Sequence, residues 1–226
     1  MEKLERREVL KKLVIGTSAC FIAKGALANE PTPTEMEGPY YPITPQDDKD
    51  ADLTQIKGKT GTAKGEIIEV FGKVYDNDMT PLCGVTVDLW QANSFGKYHH
   101  PHDPNDKPID ENFQCWAILK TDNQGRFKIK TVMPGMYPIE GTDMIRTPHI
   151  HFKISKNGYK SLLTQMYFPN HPGNIEDPLI LDRTEKETEM MTAKDVSSEK
   201  SEYKQYQFDI IIEKIKPVKR GDNEQK

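Results

Sequence analysis

The 226-residue sequence predicts an all-β domain, a β-sandwich, from three observations. Its 15 glycines and 16 prolines are scattered as turn signals between short apolar runs. Those runs alternate apolar and polar residues with the two-residue period of a half-buried strand. They recur at short intervals, separated by Asp-Asn-Gln-Gly, Pro-Gly and Asn-Gly turns, which is the rhythm of a sandwich rather than of alternating strands and helices.

The elements follow in order. Residues 1–28 read as an export segment: "MEKLERREVLKK" is charged, "LVIGTSACFIAKGALA" is apolar and small, and Ala26-Leu27-Ala28 is an A-x-A cleavage signal. Arg6-Arg7-x-Val9-Leu10-Lys11 resembles a twin-arginine signal, so the expected location is periplasmic or secreted. An ordinary secretory signal is the rival, and lipidation at Cys20 fits less well because Thr17 stands where a leucine is usual. Residues 29–64, rich in Pro, Thr, Gly and charge, read as an extended arm lying over the domain, with "EGPYYP" its locally apolar feature. The sandwich domain is expected over 65–216. Its strands are "GEIIEVFGKVYD", "VTVDLWQAN", "CWAILKTD", "GRFKIKTVMPG", "HIHFKISK", "LLTQMYF" and "YQFDIIIEKI". In "VTVDLWQAN" the alternation turns Val85, Val87 and Leu89 inward before Trp90. The polar stretch 183–203 fits a short helix or a loop, and 217–226 is a polar tail.

Composition excludes several functions. A net charge of −4 and a pI near 5.9 give no footprint for nucleic acid. The export segment carries a net +3, so without it the formal charge falls from −4 to −7. No run reaches the roughly 20 apolar residues of a membrane span. Cys83 and Cys115 remain once residues 1–28 are removed, and the spacing leaves open whether they pair or stay free. There is no CxxC and no HExxH, which argues against the common zinc sites.

"RTPHIHFKI" spends two of six histidines at positions i and i+2 of an alternating run. His149 and His151 therefore project from one face of a strand, close enough to share a metal ion. Two tyrosines lie at turns where side chains converge: Tyr98 in "SFGKYHH" and Tyr137 in "PGMYP". A phenol with a pKa near 10 is a poor ligand unless a hard, highly charged ion stabilises its anion. A Tyr/Tyr/His/His set therefore points to Fe(III) rather than Zn(II). Nine tyrosines make chance pairings easy, so the spacing alone leaves this open against a pair of ordinary surface histidines.

Five blocks occurring in order, "PLCGVTVDLWQANSFGKYHH", "TDNQGRFKIKTVMPGMYP", "RTPHIHFKI", "LLTQMYF" and "YQFDIII", resemble those of the intradiol ring-cleavage dioxygenases, most nearly the protocatechuate 3,4-dioxygenase β-subunit type. The resemblance runs from "GPYYP" at 38 to about 215. It implies a β-sandwich of the intradiol dioxygenase type holding non-haem Fe(III) through Tyr98, Tyr137, His149 and His151. Catalytic roles carry over to Arg146, which would stabilise negative charge on the ring, to Tyr137 as a proton acceptor, and to Gln165 lining the pocket. The implied reaction inserts both atoms of O2 into a catechol-type ring between its hydroxylated carbons, giving a cis,cis-muconate-type diacid. The implied partners are the catechol and O2, with a homo-oligomer as the assembly common in the family. The rivals are a salt bridge from Arg146 to Asp143 or Glu140 and a backbone hydrogen bond for Gln165. No role carries over to His99, His100 or His102, which read as solvated loop residues, His99 adjoining a ligand.

The chain also departs from that type. Ile139 stands where those enzymes have a tryptophan lining the substrate site, no partner chain is visible, and the long helical N-terminal domain of the catechol enzymes is missing. Two other readings remain. "GKVYDNDMTPLCGVTVDLW" also resembles transthyretin-like sandwich repeats, which suggests an exported binding module without turnover. The same four ligands in an oxidase would hold copper.

Overall fold

The structure, a computed structural model, describes residues 29–139 and 141–216. The expected export segment 1–28 with Cys20, the tail 217–226 and Glu140 lie outside the described residues. Two sheets pack face to face, as the strand rhythm predicts.

The first sheet is built around β1 (Ile67–Asp76), in which every second residue is buried. On one edge β1 pairs antiparallel with β4 (Arg126–Val132). On the other it runs parallel to β10 (Lys204–Gln207) and then β11 (Ile210–Ile212), while β9 (Lys194–Asp195) extends the sheet beyond β10. Gly72 sits where the β10–β11 segment bulges inward. A Cβ there would lie 1.8 Å from the carbonyl oxygen of Phe208, so no larger residue fits this approach.

The second sheet has the order β3 (Trp116–Lys120), β2 (Thr86–Trp90), β7 (His149–Ser155), β8 (Leu162–Tyr167), antiparallel throughout. Between the sheets lie Ile68, Val70 and Ile129 from one side and Val87, Leu89, Ile150, Phe152 and Ile154 from the other. The Phe152 ring lies 5.8 Å from that of Phe127 and 5.4 Å from that of Phe208. Each such side chain contributes about 1.5–3 kcal/mol on burial. A short hairpin, β5 (Tyr137–Pro138) with β6 (Ile145–Arg146), leads into β7.

Residues 29–66 add no strand of their own. Their backbone is tied down at Thr32 to Ile211, Glu35 to Leu163 and Leu53 to Lys130, and Leu53 is fully buried in the core. In the polar stretch after 183, a helix forms over Glu185–Met191 because Thr184 and Glu187 make a capping box. A shorter turn of helix precedes it over Pro178–Leu181, capped by Asp177. Among the described residues, no helix is long and apolar enough to cross a membrane.

Side-chain parity positions the site. Because Ile150, Phe152 and Ile154 face the core, His149 and His151 must face the other side of the second sheet. Register then sets their neighbours. Trp116, Trp90, His151 and Gln165 form one row across all four strands, and His149 pairs with Tyr167 in the next. This outer face is covered rather than solvated. Tyr41 packs edge-on against Trp90 at 4.8 Å and donates its hydroxyl to Asp88 at 2.8 Å.

Cys83 and Cys115 are both free. Cys83 precedes Gly84, whose amide pairs with Thr121, whereas Cys115 lies opposite Gln91 at the other end of the β2–β3 pair. Some seven residues of strand put them roughly 20 Å apart, far beyond disulfide reach. Cys83 is exposed; Cys115 is buried, and burial pushes its thiol up to about 11. At pH 8 only about one Cys115 in a thousand is thiolate. Of these two cysteines, one should therefore react with a thiol-specific reagent in the native protein and both in denaturant. Two fast-reacting native thiols, or none, would contradict this packing.

Candidate metal centre

The two tyrosines sit on loops that share a local design. Each lies two residues after a glycine, in Gly96-Lys97-Tyr98 and Gly135-Met136-Tyr137. The glycines meet back to back. A Cβ on Gly96 would lie 2.0 Å from the Met136 carbonyl oxygen, and one on Gly135 would lie 2.3 Å from the Gly96 nitrogen. Gly96 also has φ +84°, in the left-handed region. Asn93 braces the turn, accepting from the amides of Phe95 and Lys97 through its side chain and from Gly135 through its carbonyl. Asp103 accepts from the Tyr98 amide at 2.8 Å. Two loops distant in sequence are thus locked together immediately before their tyrosines.

The structure brings Tyr98, Tyr137, His149 and His151 into one cluster. The Tyr98 hydroxyl lies 3.1 Å from His151 Nε2, the Tyr137 hydroxyl 3.2 Å from His149 Nε2, and the two Nε2 atoms 3.2 Å from each other. All four residues are buried, Tyr137 being the most exposed at 8%. His151 stacks on Trp90, with ring centres 4.7 Å apart and planes 7° from parallel.

Burial governs the protonation of the cluster. It raises both phenols, with the neighbouring tyrosine adding to the effect at Tyr98 and the Arg146 guanidinium opposing it at Tyr137. Burial and Arg146 together hold His149 well below the usual histidine range and His151 down to about 3. Both imidazoles are therefore neutral. His149 Nδ1 donates to the Thr147 carbonyl at 2.7 Å, which leaves its Nε2 as a bare lone pair. That lone pair faces His151 Nε2, and His151 Nδ1 has no partner. Two imidazole nitrogens face to face with two phenol oxygens beside them form a set of donors without a centre. A cation between them would be coordinated by both imidazoles, and a trivalent one stabilises the phenolates that burial disfavours. The residues present fit Fe(III). Among the described residues no group of three His, Cys, Asp or Glu side chains could hold a metal, so any site here has to use the tyrosines.

Arg146 lies beside the cluster and is almost fully buried. Its ion-pair partner is Asp177, neither Asp143 nor, among the described residues, any other acid. The guanidinium donates through Nε to Asp177 at 2.9 Å and through Nη2 to Gln165 at 2.6 Å and to the Tyr167 hydroxyl at 3.5 Å. Gln165 is fully buried and serves Arg146 as an acceptor; its backbone contact, to the Met36 carbonyl, is the longer one at 3.5 Å. Of the three loop histidines, His99 and His102 are exposed as expected. His100 is not: it is buried with its ring 5.7 Å from that of Tyr40, because the arm closes over it.

Sequence reasoning missed Asp177, Tyr167, Trp90 and Tyr40. Asp177 is fully buried and accepts from Arg146, Thr147 and Leu179 at once. The Asp-Pro pair in "IEDPLIL" is a helix-start signal that would have singled it out. Tyr167 could be found only through register with His149.

Known proteins are similar to this chain in sequence and fold. The family described as "Dioxygenase" matches residues 36–214. The protocatechuate 3,4-dioxygenase beta chain of Burkholderia cepacia is 33% identical over 189 residues, covering 80% of each chain. The hydroxyquinol 1,2-dioxygenase of Rhizobium sp. (strain MTP-10005) is 31% identical over 121 residues, which span 48% of this chain but only 40% of that one. A solved structure, the dioxygenase domain of a dioxygenase carbohydrate-binding protein fusion from Streptomyces sp. SirexAA-E, is 29% identical with a TM-score of 0.61, covering 82% of this chain and all of that one.

Removing one partner of a buried ion pair strands the other charge. Asp177→Asn should cost about 3 kcal/mol of stability, read as a lowered urea midpoint at unchanged slope. A midpoint within error of the parent would mean that Arg146 does not depend on this carboxylate.

Proposed function

The chain belongs to the intradiol dioxygenase family, and on that premise we propose that it is an exported, non-haem Fe(III)-dependent enzyme that cleaves a catechol-type ring between its two hydroxylated carbons. The family uses non-haem Fe(III) and acts on catechols with O2. The observation that carries the proposal is the convergence of two phenol oxygens and two imidazole nitrogens within 3.2 Å contacts on a buried face. Tyr98, Tyr137, His149 and His151 would hold the ion. Once bound, the ion supplies Lewis acidity toward the catechol oxygens and the electronic coupling that opens the ring to O2.

The protein's own groups do the rest. Tyr137, the most exposed of the four, is the ligand placed to release its contact, and as the phenolate that the bound ion would stabilise it would accept a proton from an incoming catechol hydroxyl. His149 is held in one tautomer by the Thr147 carbonyl, so its metal-facing nitrogen is presented without a proton. Arg146, oriented from one side by Asp177 and from the other by Gln165, offers a fixed positive charge where the ring gains negative charge. Trp90, Tyr40 and Tyr41 pack around the cluster and keep water from it. Export, through the twin-arginine signal at Arg6-Arg7, belongs to the same proposal.

The test is optical. The purified protein should bind about one iron per chain and show a tyrosinate-to-iron absorption that shifts when catechol is added without O2 and bleaches when O2 is admitted. Gly96→Ala, which forces the two tyrosine loops apart, should lose that absorption while keeping the far-ultraviolet signature of the sandwich. A protein that stays colourless after iron reconstitution would defeat the dioxygenase reading and leave the exported binding module. Copper without the tyrosinate band would indicate the oxidase.

A further inference from the structure

We propose that the site selects uncharged catechols bearing an apolar ring substituent and discriminates against carboxylated ones; this rests on the ring-cleavage reading above. A carboxylated catechol needs a cation to replace the water lost from its carboxylate on entering a buried site. Arg146 is the cation beside the cluster, and it is already committed, paired with Asp177 at 2.9 Å and turned toward the ring site. Asp177 takes its Nε and Gln165 takes its Nη2, both inside the protein. Arg183, the next cation on this side, is spent on Glu35 at 2.8 Å and Glu187 at 3.7 Å. Lys97, adjoining Tyr98, is turned to Asp103. No unpaired cation is left for a substrate carboxylate among these groups.

The approach to the cluster is apolar and faintly acidic instead. The most exposed cluster member, Tyr137, lies on the short hairpin, and we take the side formed by that hairpin and the 3-10 turn over Pro172–Ile175 as the approach. The side chains standing out there are Met136, Met144, Ile145 and Ile175, exposed by 40–75%. Met136 reaches across to that turn, where a Cβ on Gly173 would lie 2.8 Å from its terminal methyl. Exposed apolar groups clustered beside a polar site mark a surface that meets something apolar. The charges interleaved with them are Asp143 and Glu176, both exposed and neither in an ion pair among the described residues. Like charge at a mouth disfavours an anionic ligand and leaves a neutral one unaffected.

The experiment compares iron-loaded protein on catechol, 4-methylcatechol and 3,4-dihydroxybenzoate, by kcat/KM in air and by anaerobic spectral titration. Both neutral catechols should exceed the benzoate by roughly tenfold or more in kcat/KM, and by a similar factor in affinity. The double variant Asp143→Lys/Glu176→Lys, which touches neither the cluster nor Arg146, should raise kcat/KM for the benzoate about fivefold or more and leave catechol within about twofold. A benzoate as good as the neutral catechols, or a variant that gains nothing on it, overturns the selectivity while leaving ring cleavage intact. Failure to bind or cleave even unsubstituted catechol overturns the ring-cleavage reading, and the selectivity falls with it.

Discussion

The site depends on the parity of one strand. In β7 the core claims Ile150, Phe152 and Ile154, three large side chains with no exposure at all. Together they contribute several kcal/mol through burial, on the order of the whole net stability of a domain. A one-residue slip would exchange them for His149, His151 and Lys153 and lose that contribution. His149 and His151 are therefore held outward as firmly as the core is held inward. The row that faces them, Trp90 on one neighbouring strand and Gln165 on the other, is set by the same register.

A second constraint is electrostatic. A guanidinium buried to 5% exposure cannot stand alone, and Asp177 answers it from a helix start rather than from the sheet. The carboxylate also accepts the amides of Thr147 and Leu179, so one buried acid ties the end of β6 to the segment after β8. The Arg146 guanidinium is thereby held against rotation, and its charge reaches the cluster from a fixed position. Charge orientation and loop attachment are one device here.

The strands were legible because alternation is a local property: each of the seven apolar stretches holds a strand, the last being broken into β10 and β11. The histidine pair was legible for a related reason, since His-x-His on a strand has a fixed geometric meaning; the two tyrosines stood at turns, and it was the family resemblance rather than their spacing that joined them to the pair. What escaped was non-local. Leu53, in a stretch otherwise polar, is a core residue because the arm folds back onto β4. Asp177 becomes the partner of Arg146 across 31 residues, a pairing that charge alone could not choose over the nearer Asp143. His100 resembles its solvated neighbours until the arm brings Tyr40 over it.

The parallel pairing of β1 with β10 joins Ile68 to Lys204, two residues near opposite ends of the domain. Closing that pair requires nearly the whole chain, and contacts of such sequence separation are slow to form. The first sheet cannot be completed on a growing chain until residues 204–212 have been synthesised. The second sheet, with every residue of the cluster, lies between 86 and 167 and faces no such wait. During synthesis the metal-facing sheet can thus be complete before the other layer, and the part of its inner apolar face not covered by β1 and β4 stays open until the last strands arrive. The vulnerable interval for aggregation falls there, before the C-terminal strands dock and cover it.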